Sequence, residues 1–145
     1  MDYQINIATE HDFPDILLLV KEFAEFQGTP DKVTIDLNGM VAGKQHFSAL
    51  IARYEGKAVG FASFFYAWYS WSGKAIYLDD LYVQQTCRNQ GVGKMLFDAV
   101  IETAKKENCI KLRWQVSNWN KNAIEFYQKM GAEIDEVEIN CDLRF

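Results

Sequence analysis

A polar loop with two glycines, Gly91 and Gly93, joins a predicted strand to a long amphipathic helix, and this junction constrains the fold most strongly. The strand is predicted over residues 75–83, and the helix runs to about Glu107. Its apolar and small residues recur at intervals of three and four positions, at Val92, Met95, Leu96, Ala99, Val100 and Thr103. A further strand is predicted at 110–116, so the segment predicts a mixed α/β domain.

The other predicted elements extend this pattern to the whole chain. Thr9 and Asp12 resemble a capping box, which predicts the start of a helix that ends at Gly28. The remaining predicted elements are a strand at 3–8, a short helix at 35–41, a hairpin of 47–54 and 58–69, a helix at 120–130 and a last strand at 132–141. The predicted order is therefore β-α-α-β-β-β-α-β-α-β.

Length, charge and cysteine content exclude several classes of protein. A chain of 145 residues fits one domain, predicted over 1–145. A net charge of −5 argues against general nucleic-acid binding, which needs a basic surface. The longest apolar stretch, 58–69, is too short to span a bilayer. Three cysteines without a CxxC motif, and two distant histidines, indicate free thiols and no metal site, which suits a cytoplasmic location.

The glycine loop predicts an anion site. Glycines let the backbone approach a ligand, and the first N–H groups of the following helix point outward unpaired. These groups and the helix dipole suit a phosphate or diphosphate, with Arg88 and Lys94 as mobile positive charges beside it. A Walker A loop is excluded because Met95 follows Lys94, and the Rossmann pattern because Leu96 replaces its third glycine. A tight turn without a ligand remains the alternative.

Two sequence blocks resemble the GNAT N-acetyltransferase superfamily. Arg88-x-x-Gly91-x-Gly93 matches its acyl-CoA signature, and Trp119-Asn120-x-x-Ala123-Ile124-x-Phe126-Tyr127-x-x-x-Gly131-Ala132 is similar to its second block. The resemblance covers nearly the whole chain. It implies a single mixed, mostly antiparallel sheet flanked by helices, with a splayed central strand pair.

Within the superfamily, the chain is most similar to the diamine (spermidine/spermine and thialysine) N-acetyltransferases. The similarity rests on Tyr77-Leu78-Asp79-Asp80-Leu81-Tyr82-Val83 after an aromatic hairpin, and on Trp119-Asn120. Those enzymes usually have Glu-Asp where this chain has Asp79-Asp80. The polyamine enzymes also carry an acidic residue near the hairpin tip, where Tyr69 stands here.

The resemblance implies which residues bind acetyl-CoA, the expected co-substrate. The diphosphate is expected at the backbone of Asn89, Gln90, Gly91, Val92, Gly93 and Lys94, with a salt-sensitive contact from Arg88. The pantetheine arm is expected along Leu81, Tyr82 and Val83, and the Val83 N–H is expected to polarise the thioester carbonyl. Asn120 and Asn122 complete the expected cofactor site.

The resemblance also implies catalytic and substrate-binding roles. Tyr127 stands where relatives keep a general acid that protonates the leaving thiolate; core packing is the alternative. Asp80, or else Asp79, is expected to bind the cationic amine, because adjacent strand residues face opposite sides unless a bulge intervenes. Trp71 is expected to contact the amine or to lie in a subunit interface.

These expectations combine into one functional hypothesis with two alternatives. The chain is expected to move acetyl from acetyl-CoA to a primary amine of a diamine, polyamine or thialysine-like substrate. It is also expected to act as a homodimer, without nucleic acid, membrane or metal. One alternative is a non-catalytic acyl-CoA-binding module of the same fold. The other, a nucleotide-binding domain, is disfavoured by the two failed motifs.

Overall fold

The computed structural model describes residues 2–145. They form two compact units, of which the first ends at Trp114 and the second is Gln115–Phe145. Among the described residues, every helix is too short or too polar to cross a lipid bilayer.

The first unit is built on one five-stranded sheet. Its strands are β1 (Tyr3–Ile7), β2 (Ser48–Tyr54), β3 (Lys57–Tyr69), β4 (Gly73–Val83) and β5 (Leu112–Trp114), which are neighbours in that order. The first three pairings are antiparallel, and β4 and β5 are parallel. A two-residue turn joins β2 to β3, with positive φ at both Glu55 (49°) and Gly56 (79°). Such a turn matches the natural twist of a hairpin.

The helices begin close to their predicted positions. The first unit contains α1 (Phe13–Phe26), α2 (Leu37–Ala42) and α3 (Val92–Lys106), and the second contains α4 (Lys121–Lys129). The predicted capping box is confirmed, because the Thr9 N–H donates to the Asp12 carboxylate (2.8 Å). This box caps one turn of 3-10 helix, Glu10–Asp12, which leads directly into α1.

The two long helices of the first unit pack on opposite faces of the sheet. Phe61 of β3 lies in a core cluster with Ile16 and Leu17 of α1. A Cβ at the neighbouring Gly60 would lie 3.4 Å from Leu96 Cδ1 of α3 and 2.8 Å from the Tyr82 carbonyl oxygen. Adjacent strand residues point to opposite faces, so α1 covers one face and α3 the other. Gly60 is required here because a side chain would collide with backbone.

The sequence prediction is wrong at the end of the chain. No strand forms over residues 132–141. Asp135 Oδ1 accepts hydrogen bonds from the N–H groups of Val137 (2.9 Å) and Glu138 (3.2 Å), which bends the backbone into a turn. Val137 and Ile139 remain exposed. The strand predicted at 110–116 is also shorter, at Leu112–Trp114.

Candidate active site

Helix α3 begins with unpaired backbone donors. Gly91 precedes it in a left-handed conformation (φ 83°), and the first helical hydrogen bond runs from the Met95 N–H to the Gly91 carbonyl (2.9 Å). The N–H groups of Val92, Gly93 and Lys94 therefore have no helical acceptor. A Cβ at Gly91 would meet nothing within 4 Å, so the space beside it is open. This arrangement fits an anion such as a diphosphate.

The loop before α3 is attached to the first strand. The hydroxyl of Tyr3 donates a hydrogen bond to Oε1 of Gln90. Tyr3 is itself buried, and its ring lies 5.2 Å from that of Tyr54. Asn89 adds a second left-handed residue to the loop, with φ of 62°. Sequence reasoning missed Tyr3, because no local pattern relates residues 87 positions apart.

The two cations beside the loop both have partners within the first unit. Arg88 Nε donates to the Val83 carbonyl oxygen (3.0 Å), and its guanidinium lies 4.2 Å from the centre of the Phe26 ring. Lys94 forms an ion pair with Asp98 one turn along α3. Arg88 therefore connects the end of β4 to α1, a contact that the motif alone did not indicate.

The pairing of β4 with β5 stops well before the end of β4. It ends at Leu78 and Trp114, where β5 itself ends, whereas β4 continues to Val83. This early end of the pairing is compatible with the splayed strand pair that the resemblance implies. Beyond Leu78, among the described residues, β4 is paired only with β3.

The hydrogen-bond pattern shows which residues of β4 face this open edge. Gln84 N–H donates to the Val59 carbonyl oxygen (2.9 Å), so these two residues form a hydrogen-bonded pair. Hydrogen-bonded and non-hydrogen-bonded pairs alternate in an antiparallel ladder. Val83, opposite Gly60, and Leu81, opposite Ala62, are therefore non-hydrogen-bonded pairs. Their backbone groups point away from β3, into the opening.

Tyr82 differs from its two neighbours in this respect. Its backbone lies in a hydrogen-bonded pair with Phe61, so its N–H and carbonyl groups are used within the sheet. Its ring is buried and stacks on that of Phe23 of α1 (5.0 Å between ring centres). Tyr82 thus anchors β4 to α1 between the two residues that face the opening.

A β-bulge in β4 lies at the paired aspartates. Ser63 pairs with Asp80 and Phe64 with Leu78, so Asp79 is the extra residue. The bulge shifts the alternation by one position, and for this reason Leu81 and Val83 face the opening. Asp80 shares the sheet face of Ser63 and Tyr82, which is the α1 face.

Burial changes the protonation of both carboxyls. It raises the pKa of Asp80 from 3.8 to about 6, and the nearby Asp79 charge adds to the rise. Burial also raises the pKa of Asp79, although part of its surface is exposed. A carboxyl that titrates near pH 6 is charged at neutral pH and can bind a cation or accept a proton.

Trp71 lies at the tip of an arm formed by β3 and β4. Strand β2 begins at Ser48, opposite Phe64, so β3 from Phe65 to Tyr69 has no partner on that side among the described residues. Trp71 is fully exposed and Trp68 is 78% exposed. The first unit therefore presents an aromatic surface at this arm.

The second unit carries the other predicted residues on and beside α4. Asn120 precedes the helix, and its side chain accepts a hydrogen bond from the Ala123 N–H (3.2 Å), so it caps the helix N-terminus. Asn122 is exposed in the first turn. Tyr127 is half-buried, and its ring lies edge-on to that of Phe126 (5.6 Å). Burial raises the pKa of Tyr127, which keeps its phenol protonated.

Comparison with known proteins agrees with this geometry. The model of the acetyltransferase (GNAT) family matches residues 13–132. Thialysine N-epsilon-acetyltransferase of Sus scrofa is 31% identical, over 97% of this chain and 91% of its own length. Spermidine/spermine N(1)-acetyltransferase-like protein 1 of Homo sapiens is 32% identical, over 91% of this chain and 21% of its own length.

A solved structure shows the same fold. An aminoglycoside acetyltransferase from an uncultured soil metagenomic sample superposes with a TM-score of 0.84, at 22% identity, over 98% of this chain and 97% of that chain. The family match, the early end of the β4–β5 pairing and the glycine loop at the start of α3 agree. The chain therefore belongs to the GNAT acetyltransferase family.

Proposed function

We propose that this chain transfers an acetyl group from acetyl-CoA directly to a primary amine of a small cationic substrate. One observation carries the proposal: the open edge of β4 meets the unpaired donors of α3. A Cβ at Gly93 would lie 3.8 Å from Val83 Cγ2, so the two features are adjacent. They suit the thioester end and the diphosphate of a single extended ligand.

The cofactor contacts follow from this adjacency. The backbone from Asn89 to Lys94 holds the diphosphate, and Leu81 and Val83 pair their backbone with the pantetheine arm. Arg88 acts in two ways: Nε fixes the Val83 carbonyl, and the terminal amino groups contact a phosphate. The resemblance of the second sequence block assigns Asn120 and Asn122 to the same ligand. Tyr82 holds its neighbours in place.

The chemistry requires three protein groups. Bound acetyl-CoA supplies an activated thioester, whose carbonyl carbon bonds to the amine nitrogen as its carbon–sulfur bond breaks. The Val83 N–H stabilises the developing oxyanion. Asp80 attracts the ammonium and takes the proton that the amine must lose. No acyl-enzyme forms, because the amine itself attacks the thioester. Tyr127 gives a proton to the departing sulfur, which balances the proton that Asp80 takes from the amine.

The acceptor class is supported by charge and by the relatives' names. An alkylamine is almost wholly protonated at neutral pH, and the Asp79–Asp80 pair offers negative charge to the resulting ammonium. The substrates named for the relatives, thialysine and spermidine/spermine, are amines. Diamines, polyamines and thialysine-like amino acids are therefore the proposed acceptors. Trp71 supports this class by a cation–π contact.

Thiol release tests the proposal. Purified protein is incubated with acetyl-CoA and putrescine or thialysine, and free thiol is followed against a reaction without amine. Amine-dependent release with acetylated product supports the proposal. Tight binding of acetyl-CoA without turnover on any amine would instead identify a non-catalytic acyl-CoA-binding module.

Assembly and location complete the proposal. The exposed Trp68 and Trp71 support a homodimer formed through the β3–β4 arm, which light scattering after gel filtration tests.

The cysteines bear on the location of the protein. Cys87, Cys109 and Cys141 are free thiols, which supports a reducing, cytoplasmic location. Localisation of a tagged chain tests the second point.

A further inference from the structure

The outer edge of the β3–β4 arm presents backbone groups that no neighbouring strand uses. The Ile76 N–H donates to the Lys111 carbonyl oxygen (3.2 Å), so the backbone of Ile76 faces β5. Ile76 and Tyr66, which are opposite each other, therefore form a non-hydrogen-bonded pair, and the N–H and carbonyl of Tyr66 point away from β4. Trp68, two residues further along β3, points the same way. Two donors and two acceptors thus face outward, with no strand beside them among residues 2–145.

This edge lacks the features that usually keep strand edges apart. Natural edge strands are protected by charged side chains, by proline or by a β-bulge. Residues 58–73 contain neither a charged residue nor a proline, and the register of β3 with β4 is regular over Phe65–Tyr69. Four of those five residues are aromatic, and the fifth is Ala67. We therefore expect another strand to cover this edge.

The outward-facing groups are complementary to themselves. When two copies of β3 lie antiparallel about a two-fold axis at Ala67, Tyr66 of each copy is opposite the partner's Trp68. Both pairs are then hydrogen-bonded pairs, so four backbone hydrogen bonds form across the axis. They use every outward-facing N–H and carbonyl of residues 65–69. An axis at Tyr66 would instead place the partner's Trp68 opposite Phe64, where β2 already lies.

The side chains also match across this axis. Tyr66 and Trp68 share one face of the sheet, so each ring lies beside an aromatic ring of the other copy. Phe65 and the partner's Tyr69 form the corresponding pair on the other face. Ala67 is opposite the partner's Ala67. Each face of the contact therefore carries aromatic cross-strand pairs, which stabilise antiparallel sheets.

The tip of the arm faces a cavity in this arrangement. The turn that holds the partner's Trp71 lies next to Ser48, the first residue of β2. A cavity of about 210 Å³ opens at that end of β2, with Ile7, Phe13 and Phe47 among its lining residues. Ile7 is 74% exposed although it is apolar. The cavity thus offers an apolar site for an indole ring.

The exposed area is sufficient for a stable dimer. Phe65 is 39%, Tyr66 44% and Trp68 78% exposed, and Trp71 is wholly exposed. At about 200–250 Å² for each aromatic side chain, these rings offer roughly 600 Å² per copy. The strand backbone and the cavity lining add to this area. A stable interface buries about 800 Å² per partner.

We propose that two copies of this chain pair edge to edge through β3, antiparallel about a two-fold axis at Ala67. The partner's Trp71 then fills the cavity between Ile7 and Phe47, and the two five-stranded sheets become one continuous sheet. The inference rests on the homodimer of the proposed function and gives it a register. Acetyl transfer does not depend on it.

Charge on the axis tests the pairing. Ala67→Glu and Ala67→Lys each place like charges directly opposite each other, so each variant alone should be monomeric by light scattering where the wild type is a dimer. Mixed in equal amounts, the two variants should form a heterodimer, because opposite charges then meet. This mutual rescue excludes misfolding as the cause of the loss. Dimers of both single variants, or no rescue on mixing, would overturn the axis at Ala67.

Disulfide crosslinking measures the register directly. A non-hydrogen-bonded pair brings Cα atoms to about 4.5 Å, which a disulfide can span. Under mild oxidation, Ala67→Cys should therefore crosslink two copies, in a Cys141→Ser background because Cys141 is exposed. Ser70→Cys is the matched control on the same arm. Its two copies lie roughly 20 Å apart in this register and should stay separate. Crosslinking at Ser70→Cys and not at Ala67→Cys would overturn the register.

A double-mutant cycle tests the cavity contact. Ile7→Ser and Trp71→Ala should each raise the dimer dissociation constant about tenfold in sedimentation experiments, and the double variant should add little, because both act on one contact. Val137→Ser removes a similarly exposed apolar side chain and should leave the dimer unchanged. Additive effects of the two single variants would overturn the contact.

The outcomes separate this inference from the proposed function. A dimer without the Ala67→Cys crosslink would overturn the inference and retain the homodimer. A monomeric wild type would overturn both, whereas amine-dependent thiol release would still support acetyl transfer. Absence of thiol release from a dimer that crosslinks at Ala67→Cys would count against acetyl transfer alone.

Discussion

Arg88 donates a hydrogen bond from Nε to the carbonyl oxygen of Val83 at 3.0 Å. The bond holds the peptide that follows Val83, directly beside the N–H assigned to the oxyanion. The guanidinium is kept in place by the Phe26 ring of α1 (4.2 Å). The first residue of the acyl-CoA signature thus contacts the strand, in addition to the phosphate contact proposed for it.

This relationship separates the two actions of Arg88. Arg88→Lys keeps the charge but loses the planar donor, so we expect kcat to fall about tenfold while Kd for acetyl-CoA changes little. Arg88→Gln should lose both kcat and salt-sensitive affinity, and Phe26→Leu should reproduce part of the kcat loss. Steady-state kinetics and calorimetry at two ionic strengths measure these effects. A normal kcat in Arg88→Lys would limit Arg88 to phosphate binding.

The pKa of Asp80 predicts a pH dependence of activity. Its carboxyl titrates at about 6, so it is charged above that pH and able to bind the ammonium. We expect kcat/KM for the amine to rise through about pH 6, and Asp80→Asn to lack that limb. A pH profile of initial rates, with an amine that titrates well above this range, measures it. An unchanged limb in Asp80→Asn would assign the titration to another group.

The same pKa predicts an effect on stability. Folding raises the pKa of Asp80 from 3.8 to about 6, so the folded state favours the neutral carboxyl. The contribution of this carboxyl to the free energy of unfolding is highest below about pH 4, declines as the pH rises from about 4 to about 6, and is lowest above that. Asp80→Asn should therefore be more stable than wild type at pH 8, by up to about 3 kcal/mol, with little difference at pH 4. Urea unfolding of both proteins at pH 4 and at pH 8 measures this difference in stability. An equal difference at the two pH values would contradict the raised pKa of Asp80.

The two glycines of the loop should respond differently to alanine. Gly91 has φ of 83°, so Gly91→Ala should lower the free energy of unfolding by about 1 kcal/mol through backbone strain alone. Gly93 lies in the first turn of α3, and its added Cβ would meet Val83 Cγ2 at an ordinary 3.8 Å. Gly93→Ala should be neutral or stabilising. Denaturant unfolding of the two variants measures both effects. An equal loss of unfolding free energy in Gly91→Ala and Gly93→Ala would indicate a packing effect instead of backbone strain.

Tyr127 is predicted to act as the general acid. Burial keeps its phenol protonated, and Tyr127→Phe removes only the hydroxyl. We expect kcat to fall about a hundredfold or more, with the Kd of acetyl-CoA unchanged. Single-turnover rates and calorimetry separate the two quantities. As a control, Tyr66→Phe, on the opposite sheet face from Asp80, should retain normal rates. Full activity in Tyr127→Phe would show that Tyr127 serves core packing and not proton transfer.

Local sequence patterns predicted the elements well because their causes are local. The capping box at Thr9 and Asp12 and the three-to-four spacing in α3 depend on residues within one or two turns. The prediction failed at 132–141, where a strand was expected but the Asp135 turn formed and, among the described residues, no sheet pairing replaces it. Strand formation depends on a partner strand, and the local sequence does not supply one.

The amino-acid sequence by itself determined the glycine loop, the helix that follows it and the adjacent carboxylates of Asp79 and Asp80, because each depends only on near neighbours in the chain. Only the tertiary structure decided where the bulge falls at Asp79, and with it which backbone groups of β4 face the opening. It alone also brought Tyr3 to Gln90, Phe26 to Arg88, and Lys111 with Arg113 to Tyr69. These contacts join residues far apart in the chain, and they form only when strand register and helix packing set their distances.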